Sequence, residues 1–400
     1  MKIVQINAVY RYGSTGRTVE EFHHFCKKHG VDSYVFCPNY EDKTDGVYCL
    51  GNRMDHKLHA LLSRITGRQA CFSYLATRRL LRELDRINPD AVILRNLHGN
   101  YINLPVLLRY LAKKDIVTIP VMHDCWFFTG HCTHYTAHKC YKWQTICSTC
   151  PLMKEDNSSL FFDTSERMFR LKKKLFDAIP RLGVIGVSEW ITSEAEKSVI
   201  LSNSKIFRTV YNWIDLNVFY QRDTSNLRKQ MGICDEFVVM GVAQGWSWRK
   251  GLSHFVELAR RMPEIKIILI GSINEKCDMP NNIITPGSTN SIDSLAEFYS
   301  LADVLLVCSV QETFGKVSAE ALACGTPVIA NNATANPEIP GTECGIFVND
   351  NNLNEIIAAV NLIRGERKSS YAHKCINRAS IEFSKDAQAQ KYINVIEELI

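Results

Sequence analysis

Short apolar, β-branched runs alternate along the chain with longer stretches in which apolar residues recur every three or four positions, and Gly, Asn, Asp or Pro stand between them. Residues 2–7 read as a strand, 13–16 as a turn, 19–29 as a helix and 33–37 as the next strand. This cadence builds a parallel sheet, because a strand can rejoin its neighbour in parallel only through a crossover, usually a helix. The pattern continues with a helix pair within residues 52–85, a strand at 91–94 after Asn88, Pro89 and Asp90, a helix at 104–111 and a strand at 117–122. The last of these delivers His123 and Asp124 to the carboxyl edge of the sheet, where open α/β sheets bind ligands.

Residues 125–156 break the alternation with aromatic and Cys-rich sequence and read as an inserted loop. A helix at 167–177, a strand at 183–187 and a helix at 189–201 follow, and 207–219 reads as a passage between domains. A second α/β series then begins, with strands at 237–242, 265–270, 304–307 and 326–330. Its helices fall at 252–261, 295–301, 318–324 and 353–363, and a final helical tract runs over 385–399.

Length and composition narrow the class. Four hundred residues suit a two-domain enzyme with a large core. Hydrophobic residues at 46% and charged residues at 22% match a globular chain and exclude wholesale disorder. Lys plus Arg at 47 against Asp plus Glu at 42 leaves +5 without a dense basic run, so no nucleic-acid partner is expected. The start has neither the length nor the cleavage site of a signal peptide, and no apolar run reaches the roughly eighteen residues of a membrane span. With fifteen cysteines, these features predict reduced thiols in a cytoplasmic protein, most of them buried, as at Cys308 and Cys324.

Candidate chemistry concentrates in residues 311–329. Glu312 falls in the loop after a strand and Glu320 within the next helix, so two carboxylates can grip the hydroxyls of a polyhydroxylated ligand. The amides around Gly315, Lys316 and Val317 can face an anion at the helix start. Upstream, Arg249 and Lys250 precede Gly251 in AQGWSWRKGL, where cations would bind a diphosphate and stabilise its departure. In the first half, Gly13, Ser14, Thr15 and Gly16 open a helix near Arg17, while His123, with His98 as second choice, is placed to meet a ligand. Cys132, Cys140, Cys147 and Cys150, interleaved with His131, His134 and His138, suit a tetrahedral structural zinc site. Free thiols packed by Trp126, Phe127, Phe128 and Trp143, or a redox-active C-x-x-C, are the alternatives.

The run EtFGkvsaEAlAcGtPVIA, with seven residues between Glu312 and Glu320, resembles the signature of the retaining family 4 glycosyltransferases. The resemblance implies the GT-B architecture, two facing Rossmann-like domains with an interdomain cleft. It divides the chain into an acceptor-side domain at 1–205 carrying the 125–156 insertion, a nucleotide-sugar domain at 206–380, and a helix at 381–400 crossing back to the first domain. It implies that Glu312 contacts the donor sugar, Glu320 the ribose, and Gly315 and Lys316 the sugar and diphosphate. It also sets Gly13 and Gly16 toward phosphate or acceptor and His123 toward the donor sugar.

Asn212 and Asp215 in YNWID resemble the family's Asn-Gly-Ile-Asp stretch with Trp213 in place of Gly, and Ser188 matches a position expected to cap a helix. One departure stands out: Ala243 occupies the position where the family commonly carries arginine. The implied reaction moves a sugar from a nucleotide diphosphate sugar to a saccharide or polyprenyl-linked acceptor in bacterial capsule, exopolysaccharide or lipopolysaccharide assembly. No catalytic metal is required, and peripheral contact with the inner face of a membrane is expected. A GT-B epimerase or phosphorylase and a noncatalytic sugar-nucleotide-binding protein are the alternative readings.

Overall fold

The computed structural model describes residues 1–38, 40, 44–247, 250–273, 278–289 and 291–400. The chain divides into two compact units, Met1–Val210 with Ala389–Ile400, and Tyr211–Gln388.

The first unit runs β1 (Lys2–Ile6), α1 (Gly13–Lys28), β2 (Asp32–Cys37), β3 (Val47–Cys49), α2 (Arg53–Thr66), α3 (Tyr74–Ile87) and β4 (Ala91–Leu94). It continues with α4 (Leu104–Lys114), β5 (Val117–Met122), α5 (Ser165–Asp177), β6 (Gly183–Gly186), α6 (Glu189–Glu196) and β7 (Ile206–Thr209). Its seven strands pair in the order β3-β2-β1-β4-β5-β6-β7, all in parallel. The central strands are near-continuous apolar runs because helices cover both faces of such a sheet, and every residue of β4 and β5 is buried.

Several local outcomes differ from the sequence pattern. Residues 13–16 form the first turn of α1 and not a separate turn. The helix expected over 189–201 splits, because Ser198 accepts from the Ile200 amide and starts a new 3-10 turn at Val199–Leu201. Ser188 caps α6, its hydroxyl accepting from the Ile191 amide at 3.2 Å.

The second unit runs α7 (Ser225–Gln230), β8 (Val238–Gly245), α8 (Leu252–Arg261), β9 (Lys266–Ser272), β10 (Ile283–Gly287), α9 (Ile292–Leu301) and β11 (Val304–Val307). Then come α10 (Lys316–Ala323), β12 (Val328–Asn331), α11 (Gly341–Cys344), β13 (Gly345–Val348), α12 (Leu353–Glu366) and α13 (Ser369–Glu382), and α14 (Lys385–Glu397) closes the chain. The six parallel strands pair in the order β10-β9-β8-β11-β12-β13. Val239, Ile267, Leu269, Val304 and Leu306 pack with Phe255, Leu258, Val360 and Ile363 into one apolar core. Trp213 is buried near the start of this unit, and Ile214 bridges to Ser384, its amide donating to the Phe383 carbonyl.

Candidate active site

Strand order decides where the second unit can bind a ligand. Counted within the unit, its strands lie 3-2-1-4-5-6, so direction reverses between β8 and β11, and ligands of open α/β sheets bind beyond the strand ends at that reversal. The loops leaving these two strands carry Lys250 and Glu312. They meet: Lys250 Nζ lies 2.5 Å from Glu312 Oε1 and 3.3 Å from Ser309 Oγ. Both partners keep solvent access, at 39% and 21% side-chain exposure, so the pair remains reachable.

The backbone around this pair is tightly specified. Gly251 follows Lys250 at φ +78°, and a Cβ there would lie 2.3 Å from the Cβ of Cys308, so only glycine lets the two loops approach this closely. Beneath them, Asn336 Nδ2 donates to the Ser309 carbonyl and Asn351 Nδ2 to the Cys308 carbonyl, each at 2.9 Å. The Glu312 amide donates to Thr334 Oγ1 at 2.9 Å. The loop after β8 is pinned by Trp246, whose Nε1 donates to the Ile270 carbonyl at 3.1 Å. Ala243 is buried within β8, and Arg249 lies outside the described residues.

Gly315, at φ +83°, turns the chain into α10, so Lys316 and Val317 sit half-buried in its first turn. The unpaired amides of such a turn carry partial positive charge. Glu320 lies one turn further on, buried, its Oε2 accepting from the Tyr299 hydroxyl at 3.0 Å. Tyr299 and Ser309 are partners that the sequence pattern did not single out.

The first unit presents a different kind of site. Arg95, directly after β4, is fully buried: its Nε donates to Gln5 Oε1 at 3.0 Å and its Nη1 lies 3.1 Å from His123 Nε2. Gln5 in turn donates to the Val19 carbonyl at 3.1 Å, and the guanidinium lies over the Tyr392 ring, 5.2 Å from its centre. Burial, reinforced by the Arg95 charge, holds His123 well below the usual histidine range. Nε2 therefore accepts from the guanidinium and the ring proton belongs on Nδ1. His98 faces Asp124, Nε2 to Oδ2 at 3.6 Å. Gly16 packs under residues 9–11, and Arg17 is exposed. Arg95 escaped the sequence reading; its signal was a lone cation following four apolar strand residues.

Cys132, Cys140, Cys147 and Cys150 line one small pocket with His131 and Trp143. They are free thiols, and burial pushes Cys147 and Cys150 up to about 11 and Cys132 higher still. Among the described residues no three His, Cys, Asp or Glu side chains are grouped so as to hold a metal ion. The expected zinc site thus finds no support. Aromatic packing orders the loop: Trp143 packs at a tilt against Phe128 and Tyr135, with ring centres 4.9 and 5.1 Å apart. Beside it, buried Lys172, brought down to about 7 by burial, sits 3.6 Å from the Trp126 ring centre. Its Nζ donates to the carbonyls of Trp126 and Thr129.

Two parallel sheets, each flanked by helices in this winding, define the GT-B class of fold. The comparison with solved structures agrees: the Anabaena HepE protein in complex with UDP and glucose superposes with a TM-score of 0.67 over 100% of both chains at 17% identity. Residues 223–381 match the family model described as Glycosyl transferases group 1. Among curated relatives, the N-acetyl-alpha-D-glucosaminyl L-malate synthase of Bacillus anthracis is 28% identical over 39% of this chain and 43% of its own length. The chain spans less than half the length of the first curated relatives it matches. The putative colanic acid biosynthesis glycosyl transferase WcaC of Escherichia coli is 21% identical over the full length of both.

Proposed function

We propose that the chain is a retaining glycosyltransferase of family 4 type, moving a sugar from a nucleoside-diphosphate sugar to a hydroxyl of a saccharide or lipid-linked saccharide in bacterial surface polysaccharide assembly. The observation that carries this reading is the Lys250–Glu312 pair at the strand reversal of the second unit, inside the segment matched by the glycosyltransferase family model. In this reading Lys250 and the amides at the start of α10 offset the charge of the departing diphosphate. Glu312 orients the sugar hydroxyls, and Glu320, steadied by Tyr299, accepts from the ribose. The acceptor hydroxyl attacks the face the diphosphate leaves and gives its proton to a phosphate oxygen, so the anomeric configuration is kept without a covalent enzyme intermediate. His123 is directed at the donor sugar, with Gly13 and Gly16 on the acceptor side.

The relatives' names support the setting, since one is named a putative colanic acid biosynthesis glycosyl transferase and one structure holds UDP with glucose. The test is calorimetric. Wild-type protein is expected to bind one of the uridine, guanosine or adenosine diphosphate sugars, and Glu320→Ala to weaken that binding by at least about tenfold, the worth of a charged hydrogen bond. Unchanged affinity would reject the ribose role, and absence of binding to every donor would reject the reading as a whole.

A further inference from the structure

α2 is built inside out. Only His59 and Ser63 are buried along it, with His59 Nδ1 2.8 Å from Ser73 Oγ, whereas Met54, Leu58 and Leu61 are each more than half exposed. Their spacing puts the three on one stripe of the helix. Arg53, Lys57 and Arg64 are exposed on the same outward side. A globular helix gains its stability by burying the apolar stripe, so a stripe turned outward is a surface lacking its partner.

The stripe does not end with the helix. The Arg64 carbonyl in its last turn accepts from the Leu160 amide at 2.7 Å, and the Phe162 carbonyl stands over Gly67, 2.7 Å from where a Cβ would be. Leu160, Phe161 and Phe162 are themselves more than half exposed, adding bulky apolar side chains beside α2. Arg68, the next residue, opens a pocket of ≈ 560 Å³ whose wall carries Arg109, Arg167, Arg170 and Lys174. Of these five cations only Arg170 has an ion-pair partner among the described residues, the exposed Glu166. Insertable apolar side chains flanking an uncompensated cationic hollow match the layering of a phospholipid surface, acyl chains beneath phosphates.

We infer that this face of the first unit, α2 with residues 160–162 and the Arg68–Arg109–Arg167–Lys174 pocket, docks on an anionic lipid bilayer, with Met54, Leu58, Leu61, Phe161 and Phe162 entering the interface and the pocket holding a lipid phosphate. A folded protein partner would have to bring both an apolar ridge and a cluster of carboxylates to cover the same ground. A bilayer containing phosphatidylglycerol offers acyl chains and anionic phosphates over its whole surface. The inference deepens the membrane side of the proposed function but rests on this surface alone.

The test is flotation of the full chain with phosphatidylcholine vesicles, with and without phosphatidylglycerol. Binding is expected to the anionic vesicles and to fall at high salt. Leu58→Ser with Phe161→Ser should lower partitioning at least about tenfold, and Arg167→Ser about fivefold, the worth of one interfacial charge. Unchanged thermal unfolding would show that both variants fold. Equal binding to neutral vesicles, or unchanged partitioning of the folded variants, would overturn the proposal. So would a concentration-dependent dimer abolished by Leu58→Ser, which would make a second copy the occupant, or complete competition by millimolar inorganic phosphate, which would make the pocket a soluble-anion site. Because the readout is vesicle binding, a chain that floats but binds no nucleotide sugar would sink the transferase reading and leave this one standing.

Discussion

The two units share a sheet architecture but place their polar groups differently. The second packs an apolar core, buries Glu320 against Tyr299, and sets its Lys250–Glu312 pair at the strand ends with solvent access. The first carries polar and titratable groups inside: Gln5, Arg95, His123, His23, His59 and Lys172 are all buried. A buried charge is costly unless it finds partners, so the first unit holds Arg95 through Gln5, His123 and the Tyr392 ring. The lesson is that one fold can place chemistry on its rim, where substitution affects turnover, or in its interior, where substitution also affects stability.

The largest expected effect tests the rim. Lys250→Ala should lower sugar transfer about a hundred- to a thousandfold, as loss of one transition-state charge partner does, while hydrogen exchange in both units stays unchanged. Transfer at the wild-type rate would remove the second unit's claim to the chemistry.

Acid tests the interior. Burial lowers His23 and His59 to about 4 and His123 further below its usual value. The folded unit therefore refuses protons that the unfolded chain accepts near 6.5. Stability is fully present above that pH and is lost as pH falls toward 4, by up to about 3 kcal/mol per histidine. In the second unit, burial lowers His254. Hydrogen exchange at pH 4.5 against pH 7 should show the first unit opening first, and the reverse order would break the comparison.

The smallest effect sharpens it. Arg95→Met leaves Gln5 Oε1 buried without its donor, and about 1–3 kcal/mol should be lost, read as earlier urea unfolding of the first unit alone. Histidine NMR should show His123 moving up in pKa, because a neighbouring cation has gone. A more stable variant would mean that the buried guanidinium is dispensable to the fold.

Much of the fold was legible where local pattern is strong. Val117–Met122 and Leu252–Arg261 fall where the periodicity put them. The four edge strands, Val47–Cys49, Ile206–Thr209, Ile283–Gly287 and Gly345–Val348, were missed, the second of them read as part of the passage between domains, because of their residues only Gly345 and Val348 are buried and the apolar signal is weak there. Ser369–Glu382 was missed for a related reason: that helix buries only Cys375 and Ala379. In the site, Glu312 and Glu320 were legible from their motif. Ser309, Tyr299 and Arg95 were not, since each matters through a partner distant in sequence, as Tyr299 does through Glu320, 21 residues on.

By itself the sequence determined the alternation of the central strands and helices, the second α/β series and the carboxylate spacing of residues 312 and 320, because these depend on local periodicity and on motifs contiguous in the chain. Only the tertiary structure decided that Lys250 meets Glu312 across 62 residues, that Arg95 reaches His123, that the four loop cysteines line one pocket with Trp143, and that α2 turns Leu58 and Leu61 outward. Those outcomes follow from strand order and from which side of each helix finds a neighbour. Both are long-range properties that the period of a single segment does not encode.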